Sequence, residues 1–238
     1  MQGGSTWVSL LQHDVQITSN FISFLTRPQG VLQHLAMSKV DGIRWRLTTA
    51  LARLRHGSTV SIGEAVRFLG SPIITGSDLG RISIGARASL VSDPRGTALG
   101  VRGPVILWLM AQNARIEIGE DTGLSGTVIC AAIGVRVGAR CLIGADVMIF
   151  DTDFHNPEPE GRRYAATDWG RVSAPVSIGD DVFIGTGARV MKGVSIGEGC
   201  IIGAGSVVTT DIAPFTIAGG APAKVMRAVP RVETSVPA

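Results

Sequence analysis

Histidine is scarce in this chain, and one of its four histidines stands in a setting that favours chemistry. His155 ends the run "DTDFH" and is followed at once by the charged, proline-containing run "NPEPEGRR". An imidazole exchanges protons near neutral pH, so a histidine beside a substrate can remove the proton of an alcohol as a general base. A lone loop histidine has no such role by default, so the interpretation depends on the elements around His155.

Carboxylates and aromatic rings flank His155. Asp151 and Asp153 precede it, and either carboxylate is able to orient the imidazole through the second ring nitrogen. The repeat described next puts Asp153 in an inward-facing position, where its carboxylate would instead bond to turn amides. Tyr164 and Trp169 follow and are suited either to stacking on a sugar or to anchoring a loop. Both alternatives stay open for each pair.

A repeat of six residues runs through the C-terminal half of the chain. Aliphatic residues return at every sixth position, often followed by glycine, and a small or aliphatic residue stands four positions after each. The first series is Ile178, Ile184, Val190, Ile196, Ile202 and Val208, and the second is Val182, Ala188, Val194, Cys200, Ser206 and Ile212. The period extends back through Val137, Ile143 and Ile149.

A helix repeats every 3.6 residues and a strand every 2, so neither explains a period of six. A coil with three flat faces, each a short strand and a turn, explains it, and such coils stack in parallel. The narrow interior of such a coil also accounts for a composition of 45% hydrophobic but only 5% aromatic residues. The sequence therefore predicts an all-β solenoid, a parallel β-helix, over about 58–218.

The period breaks after Ile149. The next corner of the coil would be His155, but the register returns only at Val172. Residues 155–171 are therefore predicted to form an extruded loop, which in solenoids often marks the binding face. Upstream, the first coils are predicted to be irregular, with "PVILWLM" (104–110) as a strand that interrupts them.

Residues 1–57 do not share the period. The runs "QGVLQHLAMSKV" and "GIRWRLTTALARLRHG" have helical spacing, and the second places Ile43, Leu47, Leu51 and Leu54 on one stripe beside several arginines. We expect this region to cap the open end of the solenoid. A basic amphipathic helix can alternatively lie on anionic lipid, which is the one membrane contact the sequence allows. Residues 219–238 are expected to form a C-terminal tail.

The overall composition excludes several classes. A net charge of +3 is too small to indicate nucleic-acid binding, and no apolar run reaches the ~20 residues that span a bilayer. The start "MQGGSTW" lacks the basic region of a signal peptide. The cysteines Cys130, Cys141 and Cys200 form no CxxC pair, which is typical of reduced thiols in a cytoplasmic protein.

The repeat and the closing segment "GAGSVVTTDIAPFTIAGGAPAKVMR" (203–227) resemble the hexapeptide-repeat acetyltransferases, above all the galactoside, maltose and bacterial polysaccharide O-acetyltransferases. The resemblance implies a left-handed β-helix, a homotrimer, and acetyl transfer from acetyl-CoA to a hydroxyl of a sugar or polysaccharide precursor. It also implies that His155 is the general base, because these enzymes carry that histidine just before the extruded loop.

The family binds coenzyme A in a groove between two subunits, and its motifs carry over to matching positions of this chain. "IGTGA" puts Thr186 at the thioester, where it would stabilise the oxyanion, and "DVFIG" puts Phe183 in the groove. The remaining expected contacts are Ala204 and Thr209 through the backbone, Lys224 and Arg227 on the phosphates, and Ser125, Asp153 and Trp169 on the acceptor side. Paired cations suit a phosphate on general grounds too.

Three other functions compete with O-acetylation. A zinc carbonic anhydrase also occurs on this solenoid but needs three histidine ligands, whereas the regular coils contain one histidine, so no metal is expected. An N-acetyltransferase acting on an amino sugar or amino acid uses the same donor and stays open. A non-catalytic scaffold or binding module would leave His155 without a role. The presence of both His155 and the terminal cations favours catalysis.

Overall fold

The computed structural model describes residues 39–57 and 59–230, and within these the chain is a β-helix of stacked three-faced coils. The predicted helix at 29–40 and the histidines His13 and His34 lie outside the described residues, apart from the last positions of that helix. Of the described residues, 44–57 and 59–230 belong to one compact unit. In the described part of the chain, no helix combines the length and the apolarity that a membrane crossing requires.

Three sheets form the faces of the solenoid, and each coil contributes one strand to each face in turn. Face A contains β1 (Val60–Ile62), β4 (Arg81–Ile84), β7 (Arg115–Ile118), β10 (Gly134–Val137), β13 (Val176–Ile178) and β16 (Ser195–Ile196). Face B contains β2 (Arg67–Leu69), β5 (Ser89–Val91), β8 (Gly123–Ser125), β11 (Leu142–Ile143), β14 (Phe183–Ile184), β17 (Ile201–Ile202), β19 (Thr216–Gly220) and β20 (Ala223–Ala228). Face C contains β3 (Ile73–Thr75), β6 (Ile106–Leu109), β9 (Val128–Ala131), β12 (Met148–Phe150), β15 (Arg189–Val190) and β18 (Val207–Val208).

The period of six arises from this geometry. In the regular C-terminal coils each face contributes one fully buried aliphatic residue per coil, such as Ile178, Ile184 and Val190 in the fifth coil. These residues stack on their equivalents through parallel pairing in register, for example Ile143 with Ile184 and Ile184 with Ile202. Each buried aliphatic side chain contributes about 1.5–3 kcal/mol, and the interior leaves little room for rings. The predicted all-β solenoid with a left-handed parallel β-helix is confirmed.

The early coils are more regular than the sequence indicates. The segment predicted to interrupt them contains β6, which pairs in register with β3 and β9 and forms the third face of the second coil. The irregularity lies just before it, in a connection from Ser92 to Pro104 that contains a 3₁₀ turn at Pro94–Gly96. We call residues 92–104 the strap. Its length shifts the register of the period, so the strand at 104–110 was predicted correctly as a strand but wrongly as an interruption of the coils.

A helix, α1 (Lys39–His56), precedes the first coil. Its contacts with that coil are polar as well as apolar: Thr48 donates to the carbonyl of Phe68, and Phe68 N–H donates to Thr49 Oγ1 at 3.1 Å. Ala52 is buried in the core. The leucines of the predicted apolar stripe, Leu47, Leu51 and Leu54, are exposed. The helix therefore contacts β2 mainly through the two threonine hydroxyls, which bond to backbone groups at the free edge of this strand, and the three leucines do not take part.

The edge between faces A and B is lined with charged residues whose backbone is in the left-handed conformation. Arg87, Asp121, Arg140 and Asp181 occupy equivalent turns with φ of 59°, 56°, 55° and 57°. Arg87 bonds to Asp121 at 2.6 Å, and Arg140 bonds to Asp181 at 2.8 Å. The hydrogen bond from Arg87 lowers the pKa of Asp121. This edge carries none of the predicted site residues, which lie at the other two edges, on face B and on β20.

Candidate active site

Two edges of face C carry most of the residues that the sequence singles out. The turns from face B to face C form the BC edge, where Ser125, Thr186 and Ala204 lie. The turns from face C to face A of the next coil form the CA edge, where His155 and Thr209 lie. One strand of face C separates the two edges, so a single chain does not bring His155 and Thr186 together.

His155 follows a short stem, which is formed by residues 151–153 paired antiparallel with 172–174 and is built on a buried carboxylate. Asp151 is fully buried and accepts hydrogen bonds from the backbone N–H groups of Ala132, Ile133 and Gly134 at 2.7, 2.7 and 2.6 Å. Burial raises the pKa of the Cys130 thiol to about 11, and the negative charge of Asp151 adds to this shift. Asp151 therefore fixes the turn between the third and fourth coils, and it is not a partner of the imidazole.

The other carboxylate of the stem, Asp153, is exposed, so the prediction of an inward-facing Asp153 is wrong. The chain leaves the coil one residue earlier than the period implies, because Thr152 forms an antiparallel bridge with Ser173. Asp153 Oδ2 accepts from Lys192 Nζ at 2.6 Å, and the same ammonium donates to the carbonyl of Val172 at 2.9 Å. Lys192, which the sequence analysis missed, thus clamps both strands of the stem.

The loop beyond the stem is held by its own side chains. Asn156 donates to the carbonyl of Ala166 at 2.9 Å and accepts from the N–H of Asp168 at 3.0 Å. Glu158 forms a bidentate pair with Arg171 at 2.6 and 2.7 Å, and the hydrogen bonds of this pair lower the pKa of Glu158 to about 2. Residues that flank His155 on the C-terminal side are therefore fixed.

His155 itself is exposed. In the part of the chain that the structure describes, its imidazole makes no hydrogen bond, and neither Asp151 nor Asp153 orients it. Of the loop aromatics, Trp169 is half-buried at the start of α2 (Trp169–Val172), and Tyr164 is 86% exposed. Val172 ends this helix, and the coil resumes with β13, so the insertion is longer than the predicted loop.

Thr186 lies in the turn between β14 and β15 on the BC edge. Its hydroxyl donates to the carbonyl of Ala145 at 2.7 Å, so this group is committed to the coil below. Its backbone N–H has no partner within residues 39–57 and 59–230. An oxyanion could accept a hydrogen bond from either the hydroxyl or the backbone N–H of Thr186. Since the hydroxyl is already used, only the backbone N–H is free to do so. Ser125 and Ala204 lie on the same edge, in the third and sixth coils.

The terminal cations lie at the far end of face B. Strand β20 pairs antiparallel with β19, which places Lys224 opposite Gly219 and Arg227 opposite Ile217. Both side chains are exposed and form no ion pair with any other residue that the structure describes. Phe183 lies two strands before β19 on the same face, between Leu142 and Ile201. Thr209 is exposed on the CA edge of the sixth coil.

Comparison with known proteins agrees with this architecture. The profile described as bacterial transferase hexapeptide (six repeats) matches residues 175–210. A 2,3,4,5-tetrahydropyridine-2,6-dicarboxylate N-acetyltransferase from Ligilactobacillus salivarius is 51% identical over 61 residues, which is 26% of this chain and 26% of that relative. The chain thus matches about a quarter of the length of this curated relative.

Two solved structures share the fold. AntD, an N-acyltransferase from Bacillus cereus in complex with dTDP and 3-hydroxybutyryl-CoA, superposes with a TM-score of 0.59 at 18% identity, over 76% of this chain and 89% of AntD. The polySia specific acetyltransferase NeuO superposes with a TM-score of 0.50 at 22% identity, over 74% of this chain and 80% of NeuO.

The fold and the repeat define a left-handed β-helix protein of the hexapeptide type. Within that class, the match to the bacterial transferase hexapeptide family covers residues 175–210, the segment from β13 to β18 in which the period of six is strictest.

Proposed function

We propose that the protein transfers an acetyl group from acetyl-CoA to a hydroxyl of a sugar or polysaccharide precursor, with His155 as the general base. The observation that carries this proposal is the exposed imidazole of His155 on a stem fixed by Asp151 and Lys192. A histidine without a structural task, held by a rigid support, is suited to proton transfer. The 3-hydroxybutyryl-CoA ligand named for AntD supports an acyl-CoA donor.

The reaction follows from these groups. One imidazole nitrogen of His155 accepts the acceptor's hydroxyl proton while the hydroxyl oxygen attacks the thioester carbon. The backbone N–H of Thr186 stabilises the negative charge that develops on the thioester oxygen. The tetrahedral intermediate then collapses, the carbon–sulfur bond breaks, and the imidazolium returns its proton to the departing thiolate. The products are the acetyl ester and free coenzyme A.

Since His155 and Thr186 lie on opposite edges of face C, we propose that they meet across the interface of a homotrimer. The distribution of side chains supports this assembly. Face A presents polar residues outward, such as Arg115, Glu117 and Arg136. Face C exposes apolar residues such as Trp108 and Met148, and face B exposes Leu142. Exposed apolar side chains on two faces and polar ones on the third favour a closed ring in which the two apolar faces are buried.

The donor would lie along this interface. Phe183 would line the groove, Ala204 and Thr209 would offer backbone groups, and Lys224 with Arg227 would bind the phosphates. The exposed, unpaired state of both cations supports this role. Ser125, Asp153 and Trp169 would contact the acceptor. Because Asp153 is paired with Lys192, its contribution would be to hold the stem as well as to face the substrate.

An amine acceptor is the second candidate. It is favoured by the segment that is 51% identical to a protein named as an N-acetyltransferase. An alcohol benefits more from a positioned base than an amine does, which is why we propose O-acetylation first. We further propose a cytoplasmic location, since the cysteines at 130, 141 and 200 are free thiols.

Replacing His155 tests the proposal. We expect His155→Ala to lower turnover with acetyl-CoA by about 10²–10⁴-fold, because a positioned base contributes that much. Coenzyme A affinity and the melting temperature should change little, since the side chain is exposed. His56→Ala, on α1, is the matched control and should keep full turnover. Retention of more than a tenth of the wild-type rate by His155→Ala would contradict the assignment.

A further inference from the structure

A cavity of about 520 Å³ opens beside Thr186 on the BC edge. Its walls come from the strap (Arg102, Gly103 and Pro104), from the turns of the third and fourth coils, and from Thr186, Gly187 and Arg189 of the fifth coil. The cavity thus extends from Thr186 toward the N-terminal coils. The terminal cations on β20 lie in the opposite direction along the solenoid axis.

The strap is pinned to the coils at this point. Asp146 Oδ1 accepts from the backbone N–H of Arg102 at 2.9 Å, and the N–H of Asp146 donates to the carbonyl of Ser125 at 3.0 Å. Gly126 has φ of +54°, and a Cβ there would lie 2.8 Å from Val101 Cβ and 2.9 Å from Asp146 Oδ1. This tight approach shows that the wall of the cavity is fixed by packing around Gly126.

The charges in the cavity are predominantly positive. The Arg102 side chain is 95% exposed, and its Nε lies 3.7 Å from Asp146 Oδ2, too far for a hydrogen bond. Arg189 is exposed and makes no ion pair with the rest of the described chain. Two guanidinium groups therefore face one carboxylate, and an oxygen of that carboxylate is already occupied by a backbone N–H.

We propose that this cavity binds the acceptor and that Arg102 and Arg189 select an acceptor that carries an anionic group, a carboxylate or a phosphate, near the hydroxyl to be acetylated. Guanidinium groups bind both anions in a bidentate manner. The inference rests on the proposed function, because Thr186 marks the reaction centre. The donor's own phosphates are directed to Lys224 and Arg227, which leaves the N-terminal side of Thr186 to the second substrate.

The test is calorimetry on the full chain saturated with coenzyme A, so that the donor site is filled. The probes are glucuronic acid for the carboxylate, uridine diphosphate for the phosphate, and galactose as a neutral sugar. We expect the wild type to bind one of the anionic probes more tightly than galactose. Arg102→Gln with Arg189→Gln should weaken that binding at least ~10-fold, which is about 1.4 kcal/mol.

The variants keep the cavity wall intact, because Asp146 bonds to the backbone of Arg102 and not to its side chain. Arg81→Gln with Arg115→Gln, on face A, removes the same charge elsewhere and should bind like the wild type. Two results would overturn the inference: anion binding unchanged in the cavity variant, or an equal loss in the face A control. Failure of coenzyme A to bind the wild type would count against the proposed function alone, and the anionic probes are then titrated without it.

Discussion

At the scale of single residues, Asp151 shows how the solenoid supports its proposed site. Three backbone N–H groups of one turn point at one buried carboxylate, which occupies the interior position that Ala131 fills in the coil before. A turn that must present three N–H groups inward needs an anion to satisfy them. The carboxylate thus replaces an aliphatic contact at the point where the chain leaves the coil.

We expect Asp151→Ala to lower the free energy of unfolding by at least about 2 kcal/mol, because it leaves several buried donors without partners. Asp153→Ala is the matched control. It removes an exposed ion pair with Lys192 and should cost less than about 1 kcal/mol. Urea denaturation of both variants checks the difference. Equal losses would mean that the buried hydrogen bonds contribute no more than the surface pair.

Sequence reasoning located His155 outside the coil but placed Asp153 inside it. The hexapeptide period predicts which side chains point inward only within a regular coil. It no longer applies from the residue at which the chain leaves the coil. That residue is fixed by the Thr152–Ser173 bridge and by the Lys192 ammonium, both of which join positions far apart in the chain. A local pattern cannot report them.

At the scale of elements, the loop after His155 depends on the Glu158–Arg171 pair. The folded pKa of Glu158 is about 2, which is below the ~4.3 of an unfolded glutamate. Its contribution to loop order is therefore present above the unfolded value and is lost as the pH falls through the folded one.

We expect the amide exchange protection of residues 155–171 to be constant from pH 7 to about pH 5 and to fall between about pH 4 and pH 2. In Glu158→Gln, protection should be lower at neutral pH and should show no step in this acid range. Hydrogen exchange corrected for intrinsic rates measures both. Identical profiles for the two proteins would show that the loop does not depend on the pair.

Strand β20 is the element that presents Lys224 and Arg227. Replacing both by alanine should raise the dissociation constant of coenzyme A at least ~10-fold, and the wild-type affinity should fall with added salt because exposed charges are screened. Calorimetry at two salt concentrations checks this. The variant Arg81→Ala with Arg115→Ala serves as the control, and a similar loss in that control would indicate a general effect of charge.

Elements were predictable where the period was strict and not where insertions shifted it. The C-terminal coils from β13 onward follow the six-residue spacing, and their strands lie where the aliphatic series indicates. The strap at 92–104 and the insertion after Phe150 offset the register, so β6 was misinterpreted and the return to the coil was placed at Val172 instead of Val176. In each case the strand itself has ordinary residues, and only the pairing with its neighbours shows which coil it belongs to.

At the scale of the whole molecule, we expect a homotrimer with three times the 24.9 kDa mass of the chain. A charge on an apolar face should prevent assembly, because burying an unpaired carboxylate is costly. Met148→Glu on face C should therefore give monomers in light scattering while it keeps the β-rich circular dichroism spectrum. Ser177→Glu on face A should remain trimeric. A wild-type monomer at micromolar concentration would contradict the assembly.

The number of strands on face B also fixes the distance between Phe183 and Lys224 along the solenoid axis. Between the strand of Phe183 and the strand of Lys224 lie β17 and β19, so the two positions are three strand spacings apart, roughly 14 Å at ~4.8 Å each. Two of these spacings are steps between successive coils, and the third is the antiparallel pairing of β19 with β20. Under the proposed function this interval is set by the length of the donor. Coils can be gained or lost before the thioester without altering it. One coil more or less after the thioester would shift the phosphate-binding cations by ~4.8 Å against a donor whose own dimensions do not change.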